Sequence, residues 1–150
     1  MTKSKVGIIG GSGYIGSALA NYLSRTFKVK VLDTNPLPTD LKGKAEYQQC
    51  DILEYREVEQ GLKDLDLAIH TAVVQIPKIN EQKKLGYQVN VLGTQNICSV
   101  VDETPSIKGM ILTGTWHVFG ERELEGIIDE EFGFRPDKVE ERARLYAMSK

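Results

Sequence analysis

The run Gly10-Gly11-Ser12-Gly13-Tyr14-Ile15-Gly16 constrains this chain more than any other feature. It follows Lys5-Val6-Gly7-Ile8-Ile9, a short and mostly apolar segment that reads as a strand buried on both faces. From Gly13 the pattern turns helical, with Ile15, Leu19, Tyr22 and Leu23 on one stripe. The run contains G-x-x-G-x-x-G from Gly10 and G-x-G-x-x-G from Gly11. Glycines between a strand and a helix permit a tight turn, let backbone amides approach a pyrophosphate, and let the helix pack close to the strand. The helix N-terminus adds unpaired N–H donors and a partial positive charge. In this strand–turn–helix context, residues Gly10 to Gly16 are predicted to bind a dinucleotide.

The rest of the chain alternates strand and helix patterns. Val29-Lys30-Val31-Leu32 reads as a second strand, closed by the turn formers Asp33-Thr34-Asn35-Pro36. Glu46–Cys50 is a weaker third strand, 56–63 a short helix and Leu65–His70 a fourth strand. The longest helix is expected over 81–101, where Tyr87, Val91, Thr94, Cys98 and Val101 recur at spacings of four and three. Gly109–Thr113 is the fifth strand, followed by a loop with five acidic residues between Glu121 and Glu130. A last helix is expected from Asp137, with Glu140 at capping-box spacing. Such alternation predicts an α/β fold, a doubly wound parallel sheet of about five strands with helices on both faces. Its ligand crevice lies beyond the carboxyl ends of the strands.

Composition narrows the classes. At 150 residues the chain has the length of one domain, and 41% hydrophobic with 27% charged residues is ordinary globular usage. Nineteen basic against twenty-one acidic residues give a formal charge of −2, which argues against nucleic acid as a partner. No apolar run is long enough for a membrane span, and Met1–Lys5 lacks a signal-peptide pattern, so the expected location is cytoplasmic. Cys50 and Cys98 read as buried core thiols rather than a disulfide framework, and no metal site is expected.

Candidate chemistry sits at the strand ends. Asp33 closes the second strand, where a carboxylate can accept hydrogen bonds from an adenosine ribose and repel a 2′-phosphate. No arginine follows it immediately, so NAD is favoured over NADP; the alternative is that Asp33 merely opens the turn. Asp51 can face the adenine amino group or cap the next helix. Tyr146 and Lys150 are four apart, on one face of a continuous helix. There the ammonium favours the phenolate, so the tyrosine can exchange a proton while a nicotinamide exchanges hydride.

With these pieces in one chain, the sequence resembles the extended short-chain dehydrogenase/reductase family, the NAD-dependent epimerase/dehydratase group. The glycine run looks very like the opening of UDP-galactose 4-epimerases. Asp33 matches the family's ribose-binding acid, and Asp51-Ile52 its adenine-contact pair. His70-Thr71-Ala72 stands where the family has H-x-A-A on the nicotinamide side of the cofactor, and Asn90–Asn96 matches its N-x-x-G-T-x-N helix. Thr115–Gly120 matches its S/T-x-x-V-Y-G segment and Tyr146/Lys150 its catalytic pair. The resemblance implies Tyr146 as general acid/base, with Lys150 holding the nicotinamide ribose and lowering the tyrosine pKa. It implies the Thr115 hydroxyl on the reacting oxygen and Asn90 in the supporting hydrogen-bond network. It also implies that residues 1–150 are an incomplete NAD-binding domain, since family members continue into further strands and a smaller substrate domain.

Trp116 and His117 occupy the positions where sugar-nucleotide dehydratases carry acidic residues, so water elimination is not expected. His117 itself reads as incidental, because the sequence gives it no partner. The expected activity is reversible hydride transfer on a nucleotide sugar, as an epimerase or oxidoreductase. A hydroxysteroid or small alcohol or ketone is the alternative substrate, and a non-catalytic dinucleotide-sensing module the alternative of another class. The expected assembly extends to a homodimer.

Overall fold

A computed structural model describes residues 3–150; the part of the N-terminal reading that falls on Met1 and Thr2 lies outside the described residues. The described residues gather into two compact units, one comprising residues up to Val73 with Leu92–Thr113, the other Val74–Val91 with Gly114–Lys150.

The first unit is built on a parallel sheet. Its strands are β1 (Lys5–Ile9), β2 (Lys28–Asp33), β3 (Glu46–Gln49), β4 (Leu67–His70) and β5 (Met110–Leu112). They pair in the order β3-β2-β1-β4-β5, every pair parallel. This is the Rossmann-like order, in which the chain leaves β1 toward one edge and returns at β4 to build the other. Parallel neighbours need crossovers, which α1 (Tyr14–Leu23) and α2 (Tyr55–Leu62) supply; α5 (Thr94–Glu103) precedes β5.

Strand alternation divides the core. Val6, Ile8, Val29 and Val31 form one buried face with Ala20 and Leu41, and Leu19 and Leu23 pack against it. The opposite face carries Gly7 and Leu32, which lie under Leu62, Leu65 and Gly61. Burying side chains of this kind contributes about 1.5–3 kcal/mol each, so the sheet interior dominates the stability of this unit. The stripe on α1 differs from the expected one. Ile15 and Tyr22 are exposed, and the buried positions are Gly16 and Ala20. Small residues face the strands there because the helix lies close to them.

The second unit contains α3 (Lys78–Glu81), α4 (Lys83–Tyr87) and α6 (Glu141–Met148), with 3₁₀ turns at Trp116–Phe119 and Pro136–Lys138. Val139, Ala143 and Ala147 form its small core, with Ile76 against them. The expected last helix starts late. Asp137 lies in a 3₁₀ turn, α6 begins at Glu141, and its N-cap Glu140 has no side-chain cap bond.

The expected 81–101 helix is also broken, into α4, a π-helical turn over Gln88–Gly93, and α5. Its buried positions are Gly86, Asn90, Gly93, Ile97 and Val100. They keep the predicted spacing of four and three but lie one residue earlier. Glycine and asparagine hold these places for steric and polar reasons that an apolar pattern does not register. Cys98 is therefore half-buried, whereas Cys50 is buried and its thiol is pushed up to about 11, chiefly by desolvation.

Candidate dinucleotide site and tyrosine site

The glycine loop is held from both sides within the first unit. Gly10 has φ +78°, a conformation that favours glycine, and a Cβ there would lie 2.6 Å from Ala72 Cα. A Cβ on Gly16 would lie 2.6 Å from Gly11 Cα, so the first turn of α1 sits directly on the loop. The Thr71 hydroxyl donates to the carbonyls of Ile9 (2.8 Å) and Gly10 (3.1 Å), tying the end of β4 to the end of β1. No side chain caps α1, and its first turn closes with Ser17 N–H donating to Gly13 C=O at 2.8 Å. The amides of Tyr14, Ile15 and Gly16 thus belong to the helix's unsatisfied first turn. A cradle with no room for a Cβ, facing a helix N-terminus, fits a pyrophosphate.

Asp33 performs the turn role and keeps capacity for another. It is only 8% exposed. Its Oδ2 accepts from Ser12 N–H at 2.9 Å, while Oδ1 accepts from Asn35 N–H at 2.8 Å and from Asn35 Nδ2 at 3.1 Å. A carboxylate offers about four acceptor positions, so one remains. Asp51 likewise serves the chain: its Oδ1 accepts from Leu53 N–H, and its own N–H donates to Glu57 Oε2. Ile52 is buried, and a Cβ on Gly93 would press on its Cδ1 and Cγ1.

The N-x-x-G-T-x-N segment now has a physical account. Asn96 Nδ2 donates to the Ile52 carbonyl at 2.9 Å, Gly93 makes room for Ile52, and Thr94 Oγ1 lies 2.9 Å from buried His70 Nε2. These three residues join α5 to the ends of β3 and β4. Asn90 belongs to the second unit. There its Oδ1 accepts from Val74 N–H at 2.7 Å, and its Nδ2 donates to Val74 C=O at 3.1 Å and Ser149 Oγ at 2.9 Å. Ser149 Oγ in turn donates to Tyr146 C=O at 2.8 Å. Asn90 therefore anchors the end of α6 rather than touching the phenol of Tyr146 directly.

Tyr146 and Lys150 both lie in the second unit, Tyr146 on α6 and Lys150 two residues past its last helical position. The helix ends at Met148, and Lys150 N–H donates to Ala147 C=O at 3.3 Å, an i→i+3 bond. Half-burial raises the Tyr146 phenol above its ordinary value and lowers the Lys150 ammonium below its own. Desolvation disfavours the charged form of each, opposite in direction to the lowering of the tyrosine pKa that the resemblance implies for Lys150. Thr115 Oγ1 accepts from His117 N–H at 3.4 Å and caps the 3₁₀ turn.

His117 has partners that sequence spacing did not reveal. Its Nδ1 lies 3.0 Å from Glu121 Oε1, and its ring meets the Tyr146 ring edge-on at 6.0 Å. Val118, Phe134, Pro136, Ala147, Met148 and Lys150 line a cleft of about 310 Å³. Among the described residues there is no group of three or more metal-ligating side chains.

A model of the 3-beta hydroxysteroid dehydrogenase/isomerase family matches residues 7–150. The chain belongs to that family. With it, the chain is an extended short-chain dehydrogenase/reductase, as the motifs imply. This family member is 33% identical over 132 residues to short-chain dehydrogenase/reductase family 42E member 1 of Danio rerio, covering 86% of this chain and 34% of that protein. It is 28% identical over 120 residues to the decarboxylating sterol-4-alpha-carboxylate 3-dehydrogenase of Bos taurus, covering 76% of this chain and 31% of that protein. The chain thus spans about a third of the length of these curated relatives. Its fold matches a UDP-glucose-4-epimerase from Stenotrophomonas maltophila solved with NAD, at TM-score 0.82 and 16% identity, over 98% of this chain and 45% of that one. No helix among the described residues is long and apolar enough to cross a membrane.

Proposed function

We propose that residues 1–150 are the NAD-binding and catalytic-motif portion of an oxidoreductase that interconverts a secondary alcohol and a ketone. The glycine loop would hold the pyrophosphate, and Asp33 the adenosine ribose, favouring NAD over NADP. Asp51 and Ile52 would lie toward the adenine, and His70, Thr71 and Ala72 toward the nicotinamide. The bound nicotinamide supplies or accepts hydride. Tyr146 would exchange the proton on the substrate oxygen, with the Thr115 hydroxyl as its hydrogen-bond partner. Lys150 would hold the nicotinamide ribose and Asn90 the end of α6. A phenol raised by burial is protonated at neutral pH, which suits donation to a ketone oxygen; alcohol oxidation needs the phenolate and is favoured at alkaline pH.

The observation that carries the substrate class is the apolar cleft lined in part by the end of α6, the helix that carries Tyr146. Val118, Phe134, Pro136, Ala147 and Met148 give it an apolar wall, and Lys150 is the one cation among its described lining residues. Such a wall suits a sterol-like alcohol or ketone better than a nucleoside diphosphate, whose phosphates call for several donors or cations. The sterol dehydrogenase relatives support the same choice. A nucleotide sugar is the second reading, supported by the epimerase-like glycine run and the fold likeness to an epimerase. The test offers the full-length protein a 3β-hydroxysteroid and a panel of UDP-, GDP- and dTDP-sugars with NAD, following nicotinamide reduction and sugar epimerisation. Turnover of the steroid is expected. Turnover of a sugar nucleotide alone would overturn the substrate assignment, and dinucleotide binding without any turnover would favour a sensing module.

A further inference from the structure

His117, Glu121 and Arg142 form a cluster that the proposed chemistry leaves unused. The Glu121 side chain is only 4% exposed. Its Oε1 accepts from Arg142 Nη2 at 2.9 Å and faces His117 Nδ1 at 3.0 Å, and its Oε2 accepts from Glu140 N–H at 2.9 Å. Arg142 and Tyr146 are four apart on α6, so they share a helix face. Glu121, bonded to Arg142 and Glu140, therefore stands against the His117 ring at the start of the helix that carries Tyr146. The same His117 ring meets Tyr146 edge-on, with centroids 6.0 Å apart and planes at 80°, and Trp116 lies against it at 4.4 Å. The His117 backbone N–H donates to Thr115 Oγ1. One residue thus touches both hydroxyl-bearing side chains assigned to the substrate oxygen.

We propose that His117, oriented by the buried carboxylate of Glu121, is a positioning residue that fixes the Tyr146 ring. A side chain that only fills space needs no carboxylate beside it, because removing a carboxylate from water is costly unless it is paired. Here the carboxylate is bonded to an arginine and a backbone amide, and its Oε1 stands 3.0 Å from the imidazole Nδ1 without a hydrogen bond, a close contact that restricts how the ring can turn. An aromatic pair prefers this edge-to-face geometry, so a fixed imidazole selects one orientation of the phenol. The inference rests on Tyr146 as the acid/base, since a misplacement of about 1 Å at such a group can cost on the order of a hundredfold in rate.

The test uses the full-length protein with NAD and a 3β-hydroxysteroid, together with the NMR signal of isotope-labelled Tyr146, assigned by its loss in Tyr146→Phe. His117→Ala is expected to shift that signal and to lower kcat about ten- to a hundredfold with KM little changed. Glu121→Ala, which releases the imidazole, should move both in the same direction. His117→Phe keeps a ring edge against Tyr146 and should recover part of the loss. A Tyr146 signal unmoved in His117→Ala overturns the proposal whatever happens to kcat. If His117→Ala does not fold, an unmoved signal in Glu121→Ala overturns it equally. Wild-type turnover in Tyr146→Phe would instead remove the acid/base assignment, and the NMR comparison would still decide whether His117 fixes the ring.

Discussion

Replacing Asp33 by alanine separates the turn role seen in the structure from the ribose role proposed for the same carboxylate. The side chain accepts from Ser12 N–H and twice from Asn35, and it has one acceptor position left. Losing the Ser12 bond frees a half-buried loop amide, at about 1.5–3 kcal/mol for a bond to a charged acceptor. The Asn35 groups are exposed and regain water, adding roughly 1 kcal/mol at most. The total, about 2–4 kcal/mol, corresponds to a melting temperature lower by roughly 5–15 °C for a chain of this size. With one position free, a ribose hydroxyl can make a single charge-assisted bond, so its loss weakens NAD by about ten- to a hundredfold. The same substitution removes a negative charge that, about 4 Å from a 2′-phosphate charge, opposes NADP by on the order of 4 kcal/mol. The NAD:NADP affinity ratio, read by calorimetric titration of the full-length protein with each cofactor, is therefore expected to fall at least tenfold. Loosening the loop would weaken the pyrophosphate contacts that both cofactors share. If both affinities drop by one common factor while the melting temperature falls, Asp33 braces the loop only, and the cofactor-preference argument is refuted.

Tyr146→Phe is expected to bind NAD as tightly as the parent and to abolish turnover; retained turnover would exclude the phenol from the chemistry. Asn90→Ala orphans the N–H and C=O of buried Val74. At about 1–3 kcal/mol for each buried group left unpaired, a loss of roughly 2–6 kcal/mol is expected, and a urea midpoint close to the parent's would show that water replaces the amide. Alkaline stability carries a signature of burial. Because the Tyr146 pKa is raised on folding, its contribution is complete below about pH 10 and is lost as pH climbs through the folded value. Lys150 is lowered, so its contribution grows as pH rises toward about 10.4. Urea midpoints against pH should lose the alkaline decline in Tyr146→Phe and the preceding rise in Lys150→Met. Unchanged profiles would mean that neither group is desolvated by folding.

Sequence legibility followed the kind of force involved. The sheet was readable because a parallel strand buried on both faces must be apolar, and β1, β2 and β4 carry that mark. The glycine loop was readable because Gly10 and Gly16 answer to steric limits that only glycine meets. The helix before β5 was displaced by one residue for the complementary reason. Its buried face is made by Gly86, Asn90 and Gly93 as much as by Ile97 and Val100, and a reading that weights apolar side chains moves to the neighbouring stripe. Asn90 was reached through the family motif, whereas its partner Ser149 was passed over as an unspecified position between Tyr146 and Lys150.

The Tyr146–Lys150 pair shows what spacing alone leaves out. A separation of four places two side chains on one face of a helix, and α6 runs Glu141–Met148. After Tyr146 the backbone makes i→i+3 bonds, Ser149 Oγ bonds back to the Tyr146 carbonyl, and Asn90 holds Ser149 from outside. The path of the chain beyond Tyr146 is thus set by a buried amide 59 residues before Ser149. The ring of Tyr146 meets His117, whose carboxylate partner is bound to Arg142 on the same helix. Neither link is a spacing; both arise because the fold returns distant polar groups to one place, where a buried donor or acceptor must find a partner. Electrostatics obeys the same rule. Burial raises the Tyr146 phenol and lowers the Lys150 ammonium, so what covers these groups acts on their charge states along with their nearness in sequence.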